Sequence, residues 1–298
     1  MTALAAIVNR AVVGDKRIDL FFNTSKAQLG ISLQSGTNAE DQPTGDWETG
    51  DDDYNGCILN PSEMAGIYYR GLHFVAAMTM PKLAQNEVQT QNQISLVAPV
   101  YKKLTTTSLD HVRIAMCATP DGDQGWLYFY DGATPTERTL KQFSLMTGDV
   151  AVFDKAHVVK PSSSLAAWYN PVENKRHIVF QGSALSEYIV EDETISFFVA
   201  TYGPNSTVAA VYSSDTNKAY VYYLNSANII QRVVKSQDTW GISQTLSSAP
   251  KVAGACQLTV VNANNINHLF YTAENQSSSS SAGTAGFDLF THFRDPAT

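Results

Sequence analysis

Two short patterns recur six times along the chain and stay in phase, and this limits the available folds more than any other feature. The first is a strand in which small residues precede a larger one: Leu4-Ala5-Ala6-Ile7-Val8, Met64-Ala65-Gly66-Ile67-Tyr68 and Arg113-Ile114-Ala115-Met116-Cys117. It returns as Leu165-Ala166-Ala167-Trp168-Tyr169, Val208-Ala209-Ala210-Val211-Tyr212 and Gln257-Leu258-Thr259-Val260-Val261. Counted at positions 6, 66, 115, 167, 210 and 259, the intervals are 60, 49, 52, 43 and 49. The second pattern follows a few residues behind and is bulky: Leu20-Phe21-Phe22, Leu72-His73-Phe74, Leu127-Tyr128-Phe129, Ile178-Val179-Phe180, Val221-Tyr222-Tyr223 and Leu269-Phe270-Tyr271. A unit of about fifty residues holding several short strands is the size of one propeller blade.

The physical logic is consistent. Innermost strands of a propeller converge on its axis, so Ala and Gly let the backbones approach. Bulky second strands fill the space between blades, and each blade buries a face that it cannot bury alone. Third strands are expected around Gly30–Leu33, Ile94–Val97, Glu187–Val190, Ile230–Val234 and Phe287–Phe293, with Trp47 and Trp240 opening fourth strands. The chain is therefore expected to be all-β: a six-bladed β-propeller with three to four antiparallel strands per blade, filling 1–298 as one domain. A β-sandwich with coincidental spacing is the alternative. The last blade is expected to lack an outer strand, with a serine-rich loop over 273–286 and a long insertion over 36–60.

Composition removes several function classes. Against 28 Asp+Glu there are only 20 Lys+Arg, with no basic run, so a nucleic-acid partner is not expected. No apolar run is long enough to span a bilayer as a helix, and residues 1–13 lack a signal-peptide pattern. A membrane partner is not expected. The compartment stays open between cytoplasmic and secreted, so the acceptor-like triplets at Asn23, Asn205 and Asn275 carry no weight alone. Cys57, Cys117 and Cys256 are too few and too scattered for a disulfide framework or a zinc site. Asp51 to Gly56 matches the first half of a calcium loop, but Ser62 stands where the closing Glu belongs, and a solvated acidic loop is the better reading. No metal or other cofactor is expected.

In blade period and strand pattern the chain resembles the six-bladed fungal fucose-specific lectins. That resemblance implies binding sites made of an arginine at the start of the second strand, a Glu or Gln on the third, and an aromatic ring from the next blade. Here the arginine position reads Asp19, Gly71, Trp126, His177, Tyr220 and His268. Arg17, Arg70 and Arg176 lie one or two places upstream, where a one-residue slip reverses the side chain. Glu187 and Gln231 match the Glu/Gln partner in two blades.

A lectin-like propeller that has lost its sugar-reading arginines also resembles, at the level of fold alone, the fungal hetero-Diels–Alderases that build tropolone–sesquiterpene adducts. The resemblance implies a cofactor-free pericyclase that encloses hydrophobic small molecules. Its catalytic candidates are His177, His268 and Tyr220, which would polarise an oxygen; its substrate-binding candidates are Trp126, Trp168, Asp19, Glu187 and Gln231. The alternatives are a fucose- or glycan-binding lectin with altered sites and a protein-interaction propeller, and a homodimer is compatible with all three.

Overall fold

A computed structural model of the protein describes residues 3–11, 18–24, 27–34, 46–49, 57–81, 83, 87–132, 134, 138–157, 163–182, 184–199, 201–203, 206–254, 256–274, 276 and 290–297. Six antiparallel sheets follow one another along the chain. Blade 1 holds β1 (Leu4–Val8), β2 (Ile18–Asn23), β3 (Leu29–Gln34) and β4 (Asp46–Thr49). Blade 2 holds β5 (Met64–Tyr69), β6 (Leu72–Thr79), β7 (Gln91–Ala98) and β8 (Lys102–Ser108). Blade 3 runs β9 (Ile114–Ala118), β10 (Gly125–Asp131), β11 (Thr139–Ser144) and β12 (Val150–His157). Blade 4 runs β13 (Leu165–Asn170), β14 (Lys175–Gln181), β15 (Leu185–Ile189) and β16 (Thr194–Val199). Blade 5 has β17 (Val208–Ser213), β18 (Lys218–Leu224) and β19 (Ile230–Ser236), with β20 (Thr239–Trp240) and β21 (Gln244–Thr245) both on β19. Blade 6 has β22 (Thr259–Ala263), β23 (Ile266–Tyr271) and β24 (Thr291–Pro296).

The six first strands pack on one another in a closed ring, β1 against β5, β5 against β9, and so on round to β22 against β1. This is a six-bladed β-propeller. The small residues lie at the hub as expected, and their role is measurable at Gly66. A Cβ there would lie 2.8 Å from Ile7 Cδ1 and 3.3 Å from Ala5 Cβ, so blades 1 and 2 touch through the missing side chain. The sheet of blade 6 contains three strands among the described residues. Asp51–Gly56 and Ser277–Ser281 lie outside the described residues.

The register corrects the sequence reading in three blades. Ala6 pairs with Leu20, Gly66 with Val75, Ala167 with Ile178 and Ala210 with Val221. The matching pairs elsewhere are Met116 with Leu127 and Val260 with Leu269, so the hub frame of blades 3 and 6 moves by one residue from 115 and 259. The position that precedes each second-strand partner is then Asp19, Phe74, Trp126, His177, Tyr220 and His268. Gly71 is not in this series. It sits in the hairpin turn before β6 with φ +82°, next to Arg70 at φ +47°, the backbone that a two-residue turn requires.

The core is six apolar layers, each shared by two adjacent blades. Trp126, Tyr128 and Tyr130 meet Ile178 and Phe180 between blades 3 and 4. Val179 and Leu185 meet Val208, Val221 and Tyr223 between blades 4 and 5. The closing layer, between blades 6 and 1, is built from Ala6, Ile18, Leu20 and Phe270, with Phe290 alongside.

At one end of the hub, side chains preceding the first strands bond across blades. Ser164 Oγ accepts from Val208 N at 2.9 Å, and Thr207 Oγ1 accepts from Leu258 N at 3.3 Å. Gln257 Oε1 accepts from Leu4 N at 2.8 Å and from Met64 N at 3.0 Å, while its Nε2 donates to Met64 O at 2.7 Å. One side chain thus ties blade 6 to blades 1 and 2. Glu63 pairs with Arg113 at 2.5 Å and accepts from Ser164 Oγ at 3.2 Å, joining blades 2, 3 and 4. Replacing Gln257 with Leu strands two buried backbone donors, each costing about 1–3 kcal/mol. The Gln257→Leu protein should therefore lose roughly 2–6 kcal/mol in urea unfolding, and a loss under about 0.5 kcal/mol would show that the ring closes by other means.

Candidate binding site

Alternation along the second strands sends Asp19, Phe74, Trp126, His177, Tyr220 and His268 into six successive junctions between blades. The chemistry differs from one junction to the next. Asp19 meets His73 Nδ1 at 2.8 Å between blades 1 and 2. Tyr220 is fully buried between blades 5 and 6, its hydroxyl 3.2 Å from Thr216 Oγ1. His268 Nδ1 lies 2.8 Å from His292 Nε2. Gln231 Oε1 accepts from Thr245 Oγ1 at 2.9 Å, on β19.

The junction of blades 4 and 5 gathers three of the sequence-predicted residues: His177, Trp168 and Glu187. Trp168 stacks flat on the His177 ring, with centroids 4.9 Å apart and planes 5° apart. Glu187, only 1 % exposed, accepts from His177 Nδ1 at 2.7 Å, from Lys235 Nζ at 2.8 and 3.0 Å, from Trp240 Nε1 at 3.0 Å and from Ser196 Oγ at 3.3 Å. Those donors use the full acceptor capacity of a carboxylate, so Glu187 anchors its neighbours and has no lone pair left for a ligand. Burial works to raise its pKa, but the His177 and Lys235 hydrogen bonds outweigh that and hold it below the ordinary value.

An ionised carboxylate only accepts, so His177 Nδ1 carries a proton toward Glu187 and the ring turns its Nε2 the other way. That Nε2 has no hydrogen-bond partner although the residue is 1 % exposed. It contributes to the floor of a notch of about 350 Å³ whose walls include Trp168, Asn170, Glu173, Tyr212, Asn217 and Lys235. Glu173 Oε2 lies 3.8 Å from Nε2, while Asn170 Nδ2 donates to Glu173 Oε1 at 2.6 Å.

Two participants were missed in the sequence. Lys235 reaches across from the next blade, and no local pattern marks it. Trp240 was assigned to a fourth strand without its indole N–H being given a role. Arg176 points away from the His177 face, as a one-residue slip demands, and enters the junction of blades 3 and 4. There its guanidinium lies 4.6 Å from the centroid of Trp126 and bonds Glu191 at 2.5 Å. Trp126 also stacks on Tyr169 at 6.1 Å, making a second, more open notch.

No protein-family model matches the sequence, and no curated protein sequence matches it. Among solved structures, the chain is similar to the fucose-specific lectin of Aleuria aurantia, with TM-score 0.68, 11 % identity, 92 % of this chain covered and 89 % of that one. It is also similar to AofleA of Arthrobotrys oligospora, with TM-score 0.63, 11 % identity and coverage of 92 % and 80 %. SapL1 lectin in complex with alpha methyl fucoside gives TM-score 0.65, 9 % identity and coverage of 100 % and 93 %. These likenesses show the fold. None of these neighbours is a Diels–Alderase.

Two expectations follow from the charges. Glu187→Gln leaves Lys235 buried without its counter-charge, which costs about 3–5 kcal/mol at pH 7. Because the folded carboxyl titrates below its unfolded value of about 4.3, its stabilisation is complete above that value and is lost as pH falls through the folded one. The gap between variant and parent in urea unfolding should therefore begin to narrow as pH falls below about 4.3 and close once the folded carboxyl is protonated. His268 behaves alike in sign: burial, then His292 and Arg294, lower its pKa from 6.5 to about 4. Stability present above pH 6.5 should fall toward pH 4 by on the order of 3 kcal/mol, and His268→Gln should flatten that slope.

Proposed function

We propose that the protein binds carbohydrate, with a sugar seated in the notch between blades 4 and 5. The observation that carries this reading is His177 Nε2, buried, oriented by Glu187 and without a hydrogen-bond partner. It asks for a partner from the ligand, and Glu173 Oε2, 3.8 Å away, can accept from a ligand hydroxyl. Lys235 supplies a donor, and the half-buried Tyr212 offers a ring on which an apolar sugar face can pack. A hydroxyl-rich ring with one apolar face meets all of these demands.

The lectin neighbours add support of a limited kind, since structures of the Aleuria lectin and of SapL1 hold alpha-methyl fucoside. Cofactor-free cycloaddition between hydrophobic reactants needs a site that excludes water. The notch has charged walls and is open to solvent, so carbohydrate recognition is the better match to its chemistry. Fucose itself is the first sugar to test, although this chain reads it with different residues: a histidine stands where those lectins are expected to place arginine.

The test is a glycan array followed by calorimetry, with alpha-methyl-L-fucoside as the first soluble probe. Binding should appear, and His177→Phe, which keeps the ring on Trp168 but removes both nitrogens, should weaken it at least tenfold. An array without hits at high protein concentration would overturn carbohydrate binding. Acceleration of a quinone-methide cycloaddition by the same blank protein would restore the pericyclase expectation.

A further inference from the structure

The notch between blades 4 and 5 does not end at its own rim. Tyr212, which forms one of its walls, also lines a second cavity of about 510 Å³ at the mouth of the axial channel. The turn that follows β17 separates the two. Its Asn217 faces the notch while its Ser214 and Asp215 face the axial mouth, and the Tyr212 hydroxyl bonds Asn217 across it. Tyr212 is thus common to both cavities, and its hydrogen bond to Asn217 pins it to the turn between them.

The axial mouth is suited to more of the same kind of ligand. First strands are the inner edges of their sheets, so one row of their backbone N–H and C=O groups faces the channel between small side chains, with Ala6 N bonded to Thr259 Oγ1 at 3.3 Å. Arg10 lines this cavity, its guanidinium 5.1 Å from the centroid of Tyr68 and bonded to Pro120 O, and Asp215 lines it too, exposed. A guanidinium and a carboxylate around one cavity read hydroxyls, not hydrocarbon. At the opposite end of the hub Gln257, Ser164 and Glu63 bond across blades, and a smaller cavity lined by Ala6, Gly66, Ala167 and Gln257 lies along the axis. The notch and the axial mouth both fall within the roughly 300–1,000 Å³ that a small ligand occupies.

We propose that the ligand is an extended oligosaccharide, with one residue in the notch and the chain crossing the Tyr212 ring so that its next units lie in the axial mouth. This rests on the carbohydrate reading above and adds the length and path of the ligand. One ring wall serves two subsites, so a monosaccharide fills only half of the recognition surface. Additional units then bind with the advantage of being tethered to one already held.

The experiment compares a monosaccharide that scores on the array, as its methyl glycoside, with linear oligosaccharides of two to four units that present the same sugar at one end, by calorimetry on the full chain. Affinity should rise at least tenfold with length. Asp215→Ala, an exposed change outside the notch, should remove most of that gain and leave the methyl glycoside unaffected, while His177→Phe should weaken both ligands. Equal affinity for short and long ligands, or an Asp215→Ala protein that still gains with length, overturns the extended path while carbohydrate binding stands. A blank array overturns both together.

Discussion

Every blade of this protein has an edge at the axis, and the fold depends on how those edges are satisfied. The first strand of each sheet pairs on one side only, so its other row of N–H and C=O groups faces the hub. Buried backbone donors without partners cost as much as a lost hydrogen bond. Here the residue that precedes each of several first strands reaches to the neighbouring blade and supplies the partner: Ser164 for Val208, Thr207 for Leu258 and Gln257 for both Leu4 and Met64. The last of these spans the junction where the two ends of the chain meet. There the sheet of blade 6 has three strands and the apolar layer is built from few side chains among the described residues. A polar bolt at the hub therefore holds what the rim does not.

The same geometry repeats six times, yet it produces six different junctions. Strand alternation is indifferent to residue type, so it delivers an aspartate, two histidines and three aromatics to equivalent places. Function then depends on what the next blade offers. Between blades 5 and 6, Tyr220 meets apolar neighbours and becomes core. Between blades 4 and 5, His177 meets a lysine and an indole that share one carboxylate, and a notch remains open above it. The difference lies in Lys235 and Trp240, not in the histidine.

This explains what was legible in the sequence and what was not. The hub series could be read because it is constrained twice, by the approach of backbones at Gly66 and by the bulky partners two strands deep. The count of blades followed from it. The frame slipped by one residue at 115 and 259 because Met116 and Val260 hold the hub place that Ala or Gly fills in the other blades, so smallness alone misplaced it. Gly71 was misplaced because a hairpin glycine and a strand glycine look the same without φ. Outer strands such as β16, exposed along most of its length, carry no alternation to detect. The candidate site was half legible: His177, Glu187 and Trp168 share a blade and one face of its sheet, whereas Lys235 contributes from the neighbouring sheet, and a contact across sheets leaves no spacing in a linear chain.

The saturation of Glu187 connects the hub to the notch. A carboxylate engaged by four side chains from two blades holds each of them in one rotamer, and it does so only while the blades keep their spacing. That spacing is set at the axis, where Ser164 at the start of blade 4 bonds the first residue of β17 in blade 5. Trp168 and Tyr212 ride on those same two first strands, a few residues farther along. The walls of the notch and the bolt at the hub are therefore ends of the same pair of strands. A side chain that is already immobile loses no rotamer freedom when a ligand arrives, so a shallow polar notch of this kind can hold a small polar ligand without closing over it.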